Sequence, residues 1–206
     1  IKLVVWWWGE QEAPGAQKWM DETIAKYQET HPNITIEAVL QSTDTLVPAF
    51  QSAAAAKEGP DIQYFWGGVW TLESAWSGAI IPLDDLIPSD EMAHYINNFE
   101  RSYDGKQWGI GWYLSGNPMV FNPELFTKAG LDPQNPPKTW DDLKKACDQL
   151  NAIGVTPIAG GLKDGWFGGW LFSIIGRQPH DSEKAFMEAS VGKAKFTDPQ
   201  FVEWWS

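Results

Sequence analysis

The sequence predicts an α/β fold built as two lobes, and three observations predict it. Residues 2–8 (KLVVWWW) form an unbroken apolar, β-rich run closed by Gly9, which is how a strand covered on both faces reads. Strand-like and helix-like segments then alternate up to Gly78, the pattern of a parallel sheet with right-handed crossovers. Finally, residues 105–122 (GKQWGIGWYLSGNPMVFN) run extended from a tight turn into a new unit that opens at Asn122-Pro123. Residues 1–113 are therefore expected to form one α/β lobe, 114–121 a crossing segment, and 122–206 the first part of a second α/β lobe.

The first helix follows Pro14, a residue tolerated in the opening turn. Ala16, Trp19, Met20, Thr23 and Tyr27 recur at helical spacing, and His31-Pro32 ends the run. Residues 33–40 (NITIEAVL) make the second strand, with Ile34, Ile36 and Ala38 on one face. Asp44 or Thr45 is expected to cap a helix running to Lys57, with Leu46, Phe50, Ala53 and Ala54 inward. Gly59-Pro60 breaks it. The third strand is 61–66 (DIQYFW); Gly67-Gly68 and a short helix stopping at Gly78 follow. Residues 80–87 read as a surface loop or a turn of helix, and 89–98 as a short helix capped by Ser89 or Asp90. Asp104-Gly105 is a strong hairpin signal between 99–103 and 107–113.

In the second lobe, Thr139 and Asp142 form a capping-box-like helix start, with Asp in the usual Glu position. That helix should run to about Ala152 and stop at Gly154. Residues 155–159 read as a strand and Gly160-Gly161 as a turn. A helix is expected over 166–175, with Phe167, Trp170, Leu171 and Ile174 along one side, and another over 182–189. Asp198-Pro199 starts one more helix, but the sequence ends a turn later, so it is expected to be a portion of a longer chain.

Composition excludes several function classes. The chain has 206 residues, 43% of them hydrophobic, with 19 Gly and 14 Pro, enough apolar material for a core. Its net charge is −12. It contains no run of Lys and Arg, which argues against nucleic acid and anionic membrane surfaces as partners. No apolar run is long enough to span a membrane and no signal peptide is present. The chain opens at Ile1 already inside a strand pattern, so a removed leader is compatible with it. Cys147 is the single cysteine. It falls in the helical stripe Trp140, Leu143, Cys147, Leu150 and reads as a buried structural thiol.

The outlier is tryptophan, with 14 copies. Indole offers a broad apolar face and one N–H donor, which suits stacking on the C–H faces of a sugar ring. Core filling explains any single Trp, but this number exceeds what one core of this size takes. Other chemistry is not supported. His31, His94 and His180 are isolated and nothing has metal-ligand spacing. There is no nucleophile elbow, phosphate loop or dinucleotide fingerprint, and no cofactor is expected. Asn33-Ile34-Thr35 matches a glycosylation sequon inside an expected strand. Ligands of parallel sheets bind beyond the carboxyl ends of the strands, so residues 7–12, 41–44 and 66–70 matter by position. Glu10, Glu12, Asp44 and Asp164 lie in loops. A glycosidase would use two such carboxyls, a sugar receptor would use them as hydroxyl acceptors, and each is also readable as a solvated or helix-capping acid, Glu10 and Asp164 standing out because each neighbours a Trp at an expected cleft edge.

The ordered set KLVVWWWG (2–9), GPDIQYFW (59–66), SGAIIPLDDLI (77–87), DGKQWGI (104–110), VFNPELFTKAGL (120–131) and PPKTWDDL (136–143), completed by 160–176, resembles the extracellular solute-binding proteins of carbohydrate ABC importers, the group that includes maltose-binding protein. The resemblance covers nearly all of the chain and implies the periplasmic-binding-protein-like fold, with each lobe a mostly parallel sheet flanked by helices. It implies a monomeric two-lobe clamp, periplasmic or extracellular and in some members lipid-anchored, that closes on a mono- or oligosaccharide and delivers it to a membrane permease without chemistry. Family members are about twice this length, so the chain corresponds to an N-terminal half. The resemblance implies ligand contacts from Trp8, Glu10 and Gln11 after the first strand, Thr43 and Asp44 after the second, and Trp66, Gly67 and Trp70 after the third. It adds Ser115 and Asn117 in the crossing segment, and Asp164 and Trp166 in the second lobe. Ser115 and Gln11 stand where the family often has a charged side chain, which leaves the sugar open. A carbohydrate-active enzyme using Glu10 or Asp164, and a receptor of the same fold for a non-sugar solute, remain as alternative readings.

Overall fold

The computed structural model describes residues 1–95, 101–113, 118–161, 163, 165, 167–169 and 188–202. The chain divides into two compact units, Ile1–Tyr113 and Leu114–Ser206.

The first unit is built on a three-stranded parallel sheet of order β2-β1-β3. Strand β1 (Lys2–Trp7) pairs along its whole length with β2 (Thr35–Leu40), with Leu3 opposite Ile36 and Trp7 opposite Leu40. On its other side it meets β3 (Ile62–Gln63), with Val5 opposite Ile62. Backbone bonds from Asp61 N to Val4 O (2.9 Å) and from Tyr64 N to Trp6 O (2.9 Å) lengthen that contact. Helix α1 (Ala16–Thr30) links β1 to β2, and α2 (Leu46–Ala56) links β2 to β3. The parallel sheet and its flanking helices are those the alternation predicts.

Register assigns the faces. Leu3, Val5, Trp7, Ile36, Ile62 and Tyr64 share one face, and Gln63 and Phe65 the other. The second face meets α2 through the edge-on contact of Phe50 with Phe65 (centroids 5.0 Å apart, 86°). Leu46, Phe50, Phe65 and Leu72 are buried. Leu72 belongs to α3 (Val69–Trp76), which ends before Gly78 in the left-handed region (φ 72°), as expected.

Four expectations for this unit need correction. Strand β1 reads as buried on both faces, yet Leu3 to Trp6 are only half-buried. The sheet is three strands wide and α1, on the first face, buries none of its own residues. The half-covered stripe of α1 is Met20, Ile24 and Gln28, whereas Trp19, Thr23 and Tyr27 are exposed. Gln28 joins the sheet by accepting the Ile36 N–H (2.8 Å), and Tyr27 stacks on His31 (4.1 Å, 8°). Neither Asp44 nor Thr45 caps α2 with its side chain; the Ser42 carbonyl accepts from Thr45 N and Leu46 N instead. Helix α4 is short, Ser89–Met92, and starts after Pro88 with no side-chain cap. The expected remainder of that helix lies partly outside the described residues.

A small hairpin closes the unit. Strands β4 (Ser102–Tyr103) and β5 (Lys106–Gln107) pair antiparallel around Asp104 (φ 52°) and Gly105 (φ 71°). Two consecutive positive φ values define the type I′ turn that the Asp-Gly signal predicts. Leu83 N donates to Gln107 O (2.7 Å) and Gln107 N to Asp84 Oδ2 (2.9 Å), which fixes the hairpin to the turn before it.

In the second unit, α5 (Pro123–Lys128) is capped by Asn122, whose Oδ1 accepts from Glu124 N and Leu125 N. Helix α6 (Trp140–Ala152) carries the expected capping box: Thr139 Oγ1 accepts from Asp142 N, and Asp142 Oδ2 accepts from Thr139 N (both 3.1 Å). These bonds hold the Asp142 carboxyl below its usual range, Thr139 and Lys138 being the main donors. The helix ends at Gly154 (φ 76°), as read. Its inward residues are Ala146 and Leu150, while Trp140 is exposed and Cys147 half-buried. Leu143 and Cys147 are half-buried and Leu150 is buried, as in the expected stripe; Ala146 joins it and Trp140 leaves it. Residues 155–159 form no strand, because no described residue of this unit pairs with them and a strand exists only through its ladder. Of the helix expected over 166–175, the described part shows Gly168 N and Gly169 N bonded to Gly165 O. The last helical turn is Pro199–Val202. Asp198 serves it with its backbone carbonyl and spends its carboxylate on Lys195 N (3.0 Å).

Candidate functional site

In the first unit the strand order reverses at β1. The chain steps from β1 to β2 on one side, then crosses back to β3 on the other. The carboxyl ends of β1 and β3 form the switch point at which parallel sheets of this kind open a crevice. The residues that emerge there are Trp7 and Trp8 from β1, and Tyr64 and Trp66 from β3.

They form a continuous aromatic array. Trp8 stacks on Tyr64 (5.9 Å, 20°) and meets Trp66 edge-on (5.3 Å, 72°). Trp66 in turn meets Trp70 (5.7 Å, 66°) on the first turn of α3. Trp112 joins from the end of the unit, against Trp7 (6.2 Å), Tyr64 (5.8 Å), Tyr113 (5.5 Å) and Trp19 of α1 (5.4 Å). Each such pair contributes roughly 0.5–1.5 kcal/mol beyond its buried area, so the array is a stiff surface. Its inner members are core: Trp7 is 1% and Trp8 8% exposed. Its outer members are not: Trp66 is half-buried and Trp70 is 46% exposed.

Polar groups rim the array. After β1 the chain turns back on itself, with Glu12 N and Ala13 N both bonded to Gly9 O (3.1 and 2.8 Å). That turn carries Glu10, Gln11 and Glu12. Trp8 Nε1 donates to Thr43 Oγ1 (2.9 Å), and Thr43 Oγ1 donates to Gln11 Oε1 (2.9 Å). Tyr113 donates its hydroxyl to Glu12 Oε2 (2.8 Å) and lies 3.4 Å from the Tyr64 hydroxyl. Burial, then the Tyr64 and Glu12 contacts, push the Tyr113 phenol far above its ordinary range. Tyr64 is raised as well, chiefly by burial. Both phenols are neutral donors at physiological pH.

Glu10 has a different environment from the one expected. Its Oε1 accepts from Gly15 N (3.0 Å) and its Oε2 from Gln17 N (2.6 Å), at the start of α1. Gly15 has no side chain to cap that helix and sits at φ 99°. Glu10 supplies the cap from five residues upstream, and its pKa is lowered by these two bonds, Gly15 first. A carboxylate at a helix N-terminus meets both unpaired N–H groups and the positive end of the helix dipole. The capping reading of this acid is the one its contacts support.

The structure thus brings together Trp8, Gln11, Thr43, Trp66 and Trp70. Asp44 stands exposed on the loop of Thr43, and Gly67 lies between Trp66 and the left-handed Gly68 (φ 67°) that opens α3. Ser115, Asn117, Asp164 and Trp166 lie outside the described residues. Sequence reading missed Tyr64 and Trp112. Tyr64 had a signal, since it sits two residues before Trp66 on one strand face. Trp112 had none: only tertiary structure sets it against Trp7. Among the described residues no group of His, Cys, Asp and Glu could hold a metal ion, and no helix is long and apolar enough to cross a membrane.

Residues 9–201 match the family model described as bacterial extracellular solute-binding protein. A solved structure from work on xylan utilization by the thermophilic bacterium Caldanaerobius polysaccharolyticus matches with a TM-score of 0.71 and 26% identity, covering 99% of this chain and 51% of that one. The cyclic alpha-maltosyl-1,6-maltose binding protein of Arthrobacter globiformis matches with a TM-score of 0.69 and 25% identity, over 99% of this chain and 52% of that one. The sn-glycerol-3-phosphate-binding periplasmic protein UgpB of Rhizobium meliloti is 24% identical over 211 residues, 96% of this chain and 48% of that protein. The chain spans about half the length of each.

Proposed function

The chain belongs to the family of bacterial extracellular solute-binding proteins, and we propose that it is the sugar-capturing part of a receptor serving an ABC importer. The family binds solutes rather than transforming them, so the glycosidase reading of Glu10 and Asp164 gives way. The ligand is a neutral sugar or oligosaccharide, held against the outer faces of Trp66 and Trp70 and hydrogen-bonded by Gln11, Glu12 and Asp44, with Thr43 holding Gln11 through its hydroxyl. Ser115, Asn117, Asp164 and Trp166 complete the expected contact set. Release is to a membrane permease, from a monomeric receptor in the periplasm or at the cell surface.

The observation that carries this reading is the aromatic array at the sheet's switch point, anchored in the core by Trp7 and Trp8 and open to solvent at Trp66 and Trp70. Stacked indoles suit the C–H faces of a pyranose. Relatives whose names specify a phosphorylated solute, UgpB of Rhizobium meliloti among them, favour a second reading, an sn-glycerol-3-phosphate-like ligand. A phosphate would meet the carboxylates of Glu12 and Asp44 at this rim, with Arg101 as the cation whose field reaches Tyr64, which is a poor balance for an anion.

Titration of the full-length protein, followed by tryptophan fluorescence, tests the choice. Xylo-, manno- and malto-oligosaccharides are compared with sn-glycerol-3-phosphate. A saturable response to one sugar, recovered unchanged, supports the proposal. A response to the phosphate alone replaces it with the second reading.

A further inference from the structure

Within the rim, one chain of hydrogen bonds runs from Trp8 through Thr43 to Gln11. It starts at Trp8, whose indole is buried (8% exposed) and whose Nε1–H can only donate. Its acceptor is Thr43 Oγ1 at 2.9 Å. The Thr43 hydroxyl then has one proton to place, and Gln11 Oε1 lies 2.9 Å away to accept it. The end of the relay is the exposed Gln11 amide. With its oxygen bonded to Thr43, the NH2 group of this exposed side chain is the part left to donate to a ligand. The adjacent residue of the same turn, Glu12, has the opposite character: its carboxylate only accepts, and one oxygen is already held by Tyr113 (2.8 Å).

We infer that the Trp8–Thr43 relay holds the Gln11 side chain in one amide orientation, so that position 11 is a hydrogen-bond donor to the ligand and Thr43 is its positioning residue. This deepens the proposed function and rests on it for the identity of the ligand, but the orientation itself does not depend on any ligand. A ligand oxygen with free lone pairs satisfies Gln11, while Glu12 beside it requires a ligand hydroxyl proton. Sugar hydroxyls offer both. A group that can only donate gains nothing at position 11. The relay also links the loops after β1 and β2 (residues 32 apart) to an indole packed against Trp66, so the donor is placed relative to the stacking surface.

The test uses full-length protein and two readouts. In the free protein, the Trp8 indole and Gln11 amide N–H resonances are followed by NMR. Thr43→Val, which removes only the hydroxyl, is expected to shift both, and Thr43→Ser to restore both. Unmoved Gln11 resonances in Thr43→Val would overturn the relay, whatever the protein binds. In the second readout, mannotriose and xylotriose are titrated. Gln11→Glu keeps an acceptor for Thr43 but turns the remaining donor into an acceptor, and is expected to weaken binding of the sugar that wild type takes by about tenfold or more. Thr43→Val should weaken it by roughly two- to tenfold in the wild-type background and by nothing in Gln11→Ala. Unchanged affinity in Gln11→Glu, or equal losses from Thr43→Val in both backgrounds, would overturn the inference. A wild type that binds neither sugar counts against the proposed function alone, since the ligand-free resonances still decide the relay.

Discussion

The Tyr113 hydroxyl donates to Glu12 Oε2 at 2.8 Å, joining residues 101 apart in sequence. The contact ties the last residue of the first unit to the turn after its first strand. It places a neutral phenol beside a carboxylate at the edge of the aromatic array.

The first prediction follows from the sign of the Tyr113 shift. Its folded-state pKa lies above the unfolded value near 10, so the folded state keeps the proton longer. The associated stability is present below pH 10 and is lost as pH rises beyond it. Thermal melts from pH 8 to 11 should therefore fall steeply in wild type and less steeply in Tyr113→Phe. Parallel curves would show that the phenol titrates alike in both states.

Glu10 gives the opposite limb. Its folded pKa lies below the ordinary carboxylate value of about 4.5, so the stability it contributes is present above that value. It is lost as pH falls through 4.5 toward the folded value. Glu10→Gln should flatten the acid limb of a stability–pH curve and speed hydrogen exchange of the Gln17 amide. Unaltered exchange at Gln17 would remove Glu10 from the cap of α1.

Trp7 and Trp66 should separate folding from binding. Trp7 is buried, and Trp7→Ala is expected to cost roughly 3–5 kcal/mol of stability in chemical denaturation. Trp66 is half-buried, and Trp66→Ala should weaken sugar binding by about tenfold or more with a far smaller loss of stability. If Trp66→Ala binds like wild type, the stacking surface lies elsewhere.

In the second unit, Thr139→Ala removes the hydroxyl that accepts from Asp142 N. The expected cost is about 1 kcal/mol, read as a lowered denaturation midpoint, with sugar affinity unchanged. Thr139→Ser should recover most of it. A neutral Thr139→Ala would mean that α6 is held by Ala146 and Leu150 rather than by its cap.

Part of the site was legible because the sheet's polarity is. An apolar run, then a helix pattern, repeated, places residues 8–11, 43–44 and 66–70 at one end of a parallel sheet before any coordinate is known. Trp8, Gln11, Thr43, Trp66 and Trp70 meet there. The sequence left Glu10 open between a ligand contact and a cap, because Gly15 at the helix start has no side chain and nothing local says that a residue five positions upstream caps it.

The sequence by itself determined what depends on neighbours within a few residues. Asp104-Gly105 makes its turn, Thr139 and Asp142 bond each other's backbone, and Gly78 and Gly154 end their helices, because each needs only local dihedrals and donors within reach. Tertiary structure decided the rest. It chose β1 as the centre of the sheet, set Trp112 against Trp7, turned the Gln11 amide through Thr43, and left residues 155–159 without a ladder. Those outcomes depend on contacts between residues far apart in sequence, whose energies are settled by packing and not by any local pattern.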